Sequence, residues 1–442
     1  MVRHSILFIK KATIYMSINL EKVLKVKFVY TIVFLAFAQV CLGQGGNSPF
    51  SILGIGDIVS QGNVRNDGMG GVGISNPHPL YGNALNPANL VYNQYTYFDA
   101  GVYSEYKTIT EGSKEQTDFG GNISYVSFGF PVNKNWVTSA GLKPYSIVNF
   151  ETSSTEQIPS TSTYVQYDYD YSGGVNQVYW SNGVRLYKGL TAGLEIAYNF
   201  GSITTSSYST LISSSTTSNV EFLKRIAVSD FTFKPAINYS GKISEKMILN
   251  VGGTYTIGSN LNVKQHEEIV RNYYTSSDQQ LRDTLTNNQR GHITMPSEIA
   301  FGISIEKQYT YVIGIDISKQ SWTDFRDFDG DGDLNDTYTY RLGAEWVPDI
   351  TSVSNYFKRV AYRAGVSYQQ LPFEVDGDQV EKLSASVGFS LPVNRGFSNL
   401  NFAFIYGTAK AGGSSNDVSE EFIQFKVGLT VNDRWFVRRR IN

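Results

Sequence analysis

The 442-residue chain contains one cysteine, Cys41, and four histidines. A single thiol excludes an intramolecular disulfide. Three histidines, His78, His266 and His292, lie beyond the first 43 residues, and none has a partner at metal-ligand spacing. His266-Glu267-Glu268-Ile269-Val270 lacks the second histidine of a zinc motif. There is no Gly-x-Ser-x-Gly nucleophile elbow and no phosphate-cradling glycine loop. Spacing assembles no Ser/His pair, so the chain is read as non-enzymatic. Charge is scarce too, at 17% against about 25% in ordinary soluble domains. No basic excess exists to attract nucleic acid. The run from Phe28 to Ala38 is too short for the ~20 residues of a spanning helix, and no other stretch is long and apolar enough.

What the chain does hold is aromatic and small: 30 Tyr, 26 Phe and 41 Gly. These suit a membrane β-barrel with aromatic girdles and tight bends. Residues 1–43 read as a secretory signal. Lys22, Lys25 and Lys27 precede the apolar run, and Cys41-Leu42-Gly43 supplies the small-residue cleavage site. Cleavage is expected after Gly43, and Met16 is an alternative start. Removal of this segment leaves 31 basic against 38 acidic residues, a balance of −7. It also removes the only cysteine.

From about residue 95 the pattern becomes alternating. Phe98, Ala100, Val102 and Tyr106 interleave with Tyr97, Asp99, Tyr103, Glu105 and Lys107. This period of two gives a strand with one apolar and one polar face. Fourteen such segments are expected, near 95–110, 119–132, 135–149, 174–187, 190–206, 222–241, 245–266, 288–305, 309–323, 336–347, 358–373, 379–392, 399–411 and 419–431. In the last, Ile423, Phe425, Val427, Leu429 and Val431 alternate with Gln424, Lys426, Gly428 and Thr430. Gaps of two kinds separate the segments. Asn133-Lys134, Lys188-Gly189 and Lys307-Gln308 are short. Residues 150–173, 207–221 and 267–287 are long, and the Ser/Thr tract 202–219 reads as a solvated loop. A sheet closed in an outer membrane explains the alternation, with short periplasmic turns and long external loops. A soluble sandwich does not, and no propeller-length repeat is present. The expected organisation is therefore a signal peptide (1–43), a Gly-, Asn- and Pro-rich segment (44–94), an all-β, fourteen-stranded antiparallel transmembrane barrel (95–431) and a basic tail (432–442).

The segment after the signal contains Arg65-Asn66-Asp67-Gly68-Met69-Gly70-Gly71-Val72-Gly73 and then Tyr81-Gly82-Asn83-Ala84-Leu85-Asn86-Pro87-Ala88-Asn89-Leu90. It resembles the leading region of the FadL-type outer-membrane transporter family. Further similarities are Thr294-Met295-Pro296-Ser297-Glu298-Ile299-Ala300-Phe301-Gly302, the stretch from Asp316 to Phe325 with Trp322 and Asp324, and the pair Arg341-Leu342-Gly343-Ala344-Glu345-Trp346 and Arg363-Ala364-Gly365. The resemblance spans residues 54–431. It implies a barrel whose lumen is plugged by residues 44–94, with Asn86, Pro87 and Ala88 forming a tight turn at the base of the plug. It also implies passive passage of hydrophobic, fatty-acid-like molecules, with sideways release through a kink in the third strand. Pro144 lies in that strand and is the candidate lateral gate, because proline cannot complete a ladder bond. The long connections and the basic tail depart from the family pattern and bear on the ligand more than on the fold.

Two further constellations stand out. Asp327, Asp329, Asp331, Asp333 and Asn335 place oxygen ligands at alternate positions with Gly332 at the sixth, like the first half of a calcium loop. Tyr338 stands where the bidentate glutamate belongs. The reading is a structural calcium site or an acidic surface loop. Tyr167-Asp168-Tyr169-Asp170-Tyr171 alternates aromatic and acid, as a partner- or sugar-binding ridge or a solvated hairpin edge. The expected function is an outer-membrane channel for hydrophobic small molecules, in contact with membrane lipids. The alternative is an accessory subunit of a secretion or assembly complex, which binds other outer-membrane proteins through its loops. A continuous apolar cavity favours the first, and a filled lumen the second.

Overall fold

The computed structural model describes residues 47–212, 218–273, 279–330, 332–375, 377–393, 398–411 and 418–435. The signal segment with Met16 and Cys41, and the basic tail from residue 436, lie outside the described residues.

A two-residue strand, β1 (Asp57–Ile58), precedes the wall. The wall consists of β2 (Thr96–Glu111), β3 (Lys114–Asn133), β4 (Trp136–Gln157), β5 (Tyr164–Tyr187), β6 (Leu190–Ile212), β7 (Ser218–Lys242), β8 (Met247–Thr256) and β9 (Ser259–Tyr273). It continues with β10 (Gln279–Met295), β11 (Glu298–Lys307), β12 (Tyr311–Gln320), β13 (Thr337–Trp346), β14 (Ala361–Val375), β15 (Asp378–Val393), β16 (Ser398–Lys410) and β17 (Val418–Asp433). All wall pairings are antiparallel, and β17 closes on β2 from Val418 opposite Glu111 to Asp433 opposite Thr96. β8 and β9 are two pieces of one rising strand, and β10 and β11 two pieces of the next: β8 pairs β11, and β9 pairs β10. Both break at the same height. Pro296 lacks the N–H a ladder needs, and a Cβ on Gly258 would lie 3.1 Å from the Met295 carbonyl oxygen. The barrel therefore has fourteen strand positions, as expected.

The alternation does what its period dictates. Along β12, Ile313, Ile315 and Ile317 are exposed outward, while Gly314, Asp316 and Ser318 are buried inward. In water such an outer band would be an aggregation surface; in lipid it is solvated. At the end where β2 begins, here called proximal, Trp435 lies 5.6 Å from Phe128 and Trp346 lies 6.0 Å from Tyr362. Aromatic rings at this level suit a membrane interface.

The long gaps are not loops. Residues 150–157 continue β4 and 164–173 belong to β5, with only 158–163 between them. Most of the Ser/Thr tract lies in β6 and β7, and residues 213–217 lie outside the described residues. Serine and threonine carry no apolar face to reveal the period, but threonine's branched side chain fits a strand. β4 to β7 span 22 to 25 residues, whereas β11, β12 and β13 span 10 each. About 10 tilted residues cross the apolar layer. The excess raises β4–β7, β9 and β10 beyond the lipid on one side as a continuous sheet, here called the wing. Its register is unbroken between β5 and β6 from Tyr164 to Arg185, and between β6 and β7 throughout.

Candidate functional site

Residues 47–95 contain one helical turn, Val64–Asp67, and two 3-10 turns, Pro49–Ile52 and Pro87–Tyr92. Such a segment cannot satisfy its own backbone, so the wall must. It does so in three places.

The first is a gap in the wall. β3 and β4 pair only from Asn133 opposite Trp136 to Val126 opposite Leu142. Pro144 follows two residues later and accompanies a shift in the β4–β5 register. Beyond it the free edge of β4 is taken by the N-terminal segment. Gln61 donates to the Pro144 carbonyl (3.3 Å), the Val59 N–H to Tyr145 (3.0 Å) and the Ser48 N–H to Asn149 (2.9 Å), while Ile58 and Asp57 pair with Ser146 and Ile147. Residues 47–61 thus stand where β3 would otherwise run. A Cβ on Gly56 would lie 2.6 Å from the Ile147 oxygen, which glycine alone avoids, and its φ of +102° is likewise open mainly to glycine.

The second is the Asn-Pro-Ala turn. Asn86 caps the 3-10 turn: its Oδ1 accepts from the Ala88 N–H (2.9 Å), and its Nδ2 donates to Ile74 (2.7 Å) and to Ile237 in β7 (3.3 Å). Pro87 occupies the first position, where no N–H is needed. A Cβ on Gly193 of β6 would sit 2.3 Å from the Ala88 nitrogen, so the turn touches bare wall backbone.

The third is charge. Glu345 accepts from Arg65 Nε (3.0 Å) and Arg363 Nε (2.6 Å), and all three are buried. Arg65 also lies over the Tyr81 ring at 5.3 Å, and Arg363 donates to Ser390 (2.7 Å). Burial, followed by the field of Arg65, pushes the neighbouring His78 from 6.5 down to about 3 and keeps it neutral. Further along, Lys426 pairs with Asp67 (3.1 Å), and Asp316 accepts from the Gly73 and Ile74 N–H groups at 2.7 and 2.9 Å. Arg65 and Glu345 belong to motifs quoted from the sequence, but no local signal indicates that they pair across 280 positions.

Above these contacts lies a cavity of about 260 Å³ between the segment and the wall. Lys143 and Lys234 share Glu195 at 3.6 and 3.0 Å, and Asp57, Arg341 and Lys382 also line it. It is more polar than apolar. Distal to it lie two clusters of apolar side chains. Trp322 (1% exposed) and Phe325 (3%) from the 321–336 connection pack with Ile55 and with Val175, Val228, Leu261, Val263, Ile293 and Met295 of the wall. Phe50 stacks on Phe373 at 5.6 Å in a second cluster with Leu371 and Val380, and Leu334 touches both clusters.

The acidic stretch thus belongs to a connection that lids the mouth. Asp329 pairs with Lys224 of β7 (2.8 Å), its N–H donates to Asp327 (2.9 Å), and Asn335 is bonded to Glu374 and Pro372. Asp331 lies outside the described residues. Asp333 is exposed, and among the described residues no three carboxylates, histidines or cysteines converge as a metal site. Asp336 is held below the usual carboxylate range: burial opposes its ionisation, but hydrogen bonds from Lys319 and Thr323 outweigh that.

Solved structures share this architecture. The Pseudomonas putida toluene transporter TodX is 14% identical, with 85% of this chain and 99% of that chain covered and a TM-score of 0.57. A Pseudomonas aeruginosa FadL homologue is 11% identical over 85% and 99%, at 0.53. The CymD monoaromatic hydrocarbon channel is 16% identical over 86% and 98%, at 0.51. At these identities the likeness establishes the fold, which is that of the FadL-type barrels. No curated protein sequence matches the chain. The model of one sequence family, BamG, matches residues 22–442. That match spans nearly the whole sequence, and the chain belongs to the BamG family.

Proposed function

We propose that the protein is a closed barrel in the outer membrane of a Gram-negative envelope, acting as an accessory subunit of an assembly or secretion complex and meeting other proteins through its wing. The observation that carries this reading is that the chain itself occupies the route cargo would take. A hydrophobic ligand needs apolar surface to exchange for water. At the mouth that surface is already used by Trp322, Phe325, Ile55 and Phe50. Beneath it the cavity has an apolar side, with Tyr145, Ile147 and Phe422, but Lys143, Glu195, Lys234 and Arg341 also line it and would leave part of an apolar solute facing charge. Moving residues 47–95 would break the buried Arg65–Glu345 and Asp67–Lys426 pairs, each costly to separate.

The test is purification from native membranes in mild detergent, with mass spectrometry of bound proteins and lipids. Other envelope proteins are expected in fixed ratio to the barrel. A barrel recovered alone, carrying fatty-acyl or aromatic compounds, overturns the reading.

The interrupted β3–β4 pairing favours a second reading. Here hydrophobic small molecules pass downhill, residues 47–61 leave the edge of β4, and cargo exits beside Pro144 into the bilayer. The likeness to TodX and CymD supports it. A disulfide between Asp57→Cys and Ile147→Cys, which face each other across β1 and β4, would lock the segment. This reading expects uptake of hydrophobic compounds to fall on oxidation and recover on reduction. The accessory reading expects no change.

A further inference from the structure

The wing has two faces of different chemistry. Val175, Val228 and Val263 point into the lid over the mouth. Side chains two residues apart on a strand share a face, and the register is continuous from these valines toward the tip. Tyr171, Tyr169 and Tyr167 of β5 therefore overhang the mouth, with Phe222 of β7 and Ile269 of β9 opposite in the same rows. One contact verifies the assignment: Lys224 of β7, in the same row as Tyr171, reaches Asp329 of the lid. Asp168 and Asp170 fall on the other face. There Glu268 and Arg282 neutralise each other at 2.9 Å.

The mouth-facing side is left uncovered. Tyr169 is 36% exposed, Val220 39% and Leu281 57%, although these rows stand beyond the lipid-facing band. An apolar patch in water marks an interaction surface. Its charge is unbalanced. Glu156, Glu267, Asp283 and Asp329 lie on this face or at its foot, against Lys224 and Arg271. Lys224 is already shared between Glu267 (3.9 Å) and Asp329 (2.8 Å). Tyrosine faces attract guanidinium and ammonium groups, and carboxylates bind guanidinium in paired hydrogen bonds. A ridge of tyrosines above surplus carboxylates is complementary to a cationic chain.

We propose that this face docks a lysine- and arginine-rich segment of another envelope protein, with its cations stacked on Tyr167, Tyr169 and Tyr171 and paired with the carboxylates beside and below them. The proposal rests on the accessory-subunit reading and adds the place and the partner's chemistry.

The test uses the full chain in cells, with photo-reactive benzoylphenylalanine at Tyr169 and, as control, at Asp170 on the opposite face. A protein adduct is expected at least fivefold more abundant from position 169 than from 170, with the cross-linked peptide carrying net positive charge. With the probe kept at 169, Asp283→Asn with Asp329→Asn should reduce it at least fivefold, and raised salt should do the same. Both acids are exposed, so the barrel should keep its heat-modifiable migration in gels. Equal adducts from both faces, an acidic cross-linked peptide, a glycan adduct or indifference to the charge variant overturns the proposal. A Tyr167→Ser, Tyr169→Ser, Tyr171→Ser variant that still co-purifies its partners refutes this surface but leaves the accessory role standing. An unmodified barrel that co-purifies nothing removes the role itself.

Discussion

At the proximal end of the lumen, residues 62–95 are held by ions and amides: Glu345 between Arg65 and Arg363, Asn86 between Ile74 and Ile237. At the distal end, the 321–336 connection is held by Trp322, Phe325 and Leu334 against wall valines and isoleucines. The two closures fill the same cylinder with different chemistry: Val64, Met69 and Val72 also pack on Tyr125, Ala403 and Val312 proximally, but there buried ion pairs are added. Proximally, the inward positions of a barrel wall are polar because the lumen is wet, so anything seated there must match polar groups one by one. Distally, the wing extends past the membrane and can present an apolar inner face that gains from burial as a soluble core does. One closure is a network of specific pairs, which fixes a single position for the segment. The other is a dry cluster of apolar side chains at the mouth.

The sharpest way to break this contrast is at the dry end. Trp322→Ala removes the largest fully buried side chain and should cost about 3–5 kcal/mol. The loss should appear as a lower temperature for heat-modified migration in detergent and be unchanged from neutral to mildly acidic pH. A loss below about 1 kcal/mol would mean that the lid is not a core. At the wet end, Glu345→Gln leaves Arg65 and Arg363 buried against each other. About 3 kcal/mol should be lost. Adding Arg65→Met should recover part of it, because one uncompensated cation is then gone. If the double variant is no better than the single, the network is not what seats the segment.

The smallest effect is the most diagnostic of the contrast. His78 titrates near 6.5 when unfolded and near 3 in place. Its folded value is depressed, so the unfolded chain binds the extra proton. Stability is then whole above about pH 6.5 and declines as the pH falls below it. His78→Asn should flatten this acid limb, measured as unfolding temperature against pH, and Trp322→Ala should leave its slope alone. An acid limb that survives the removal of His78 assigns the sensitivity elsewhere.

Much of the wall is legible in the sequence. Ile423 to Val431 alternate perfectly, and in the structure that segment bridges β16 and β2 and closes the barrel. Pro144 is visible as an exception to the ladder, and it does sit at the end of the β3–β4 pairing. The wing is not legible. Where both faces of a strand are watered, serine and threonine occupy both, and the period of two vanishes from the hydropathy. The acidic stretch is legible only in part. Its regularly spaced oxygens suggest a cation loop, while Trp322, Phe325 and Leu334, spaced around them without a period, form the lid.

What the sequence by itself determines is the cylinder. Alternation and tight turns are properties of neighbouring residues, and lipid outside with water inside turns them into an ordered, closed sheet. Only the tertiary structure decides what that cylinder contains. The run of residues 47–61 along the edge of β4, the pairing of Arg65 with Glu345 and the seating of Asn86 against Ile237 join positions about 90 to 280 apart in the chain. They exist because buried backbone and buried charge must find partners wherever the fold brings them. No local pattern encodes that requirement.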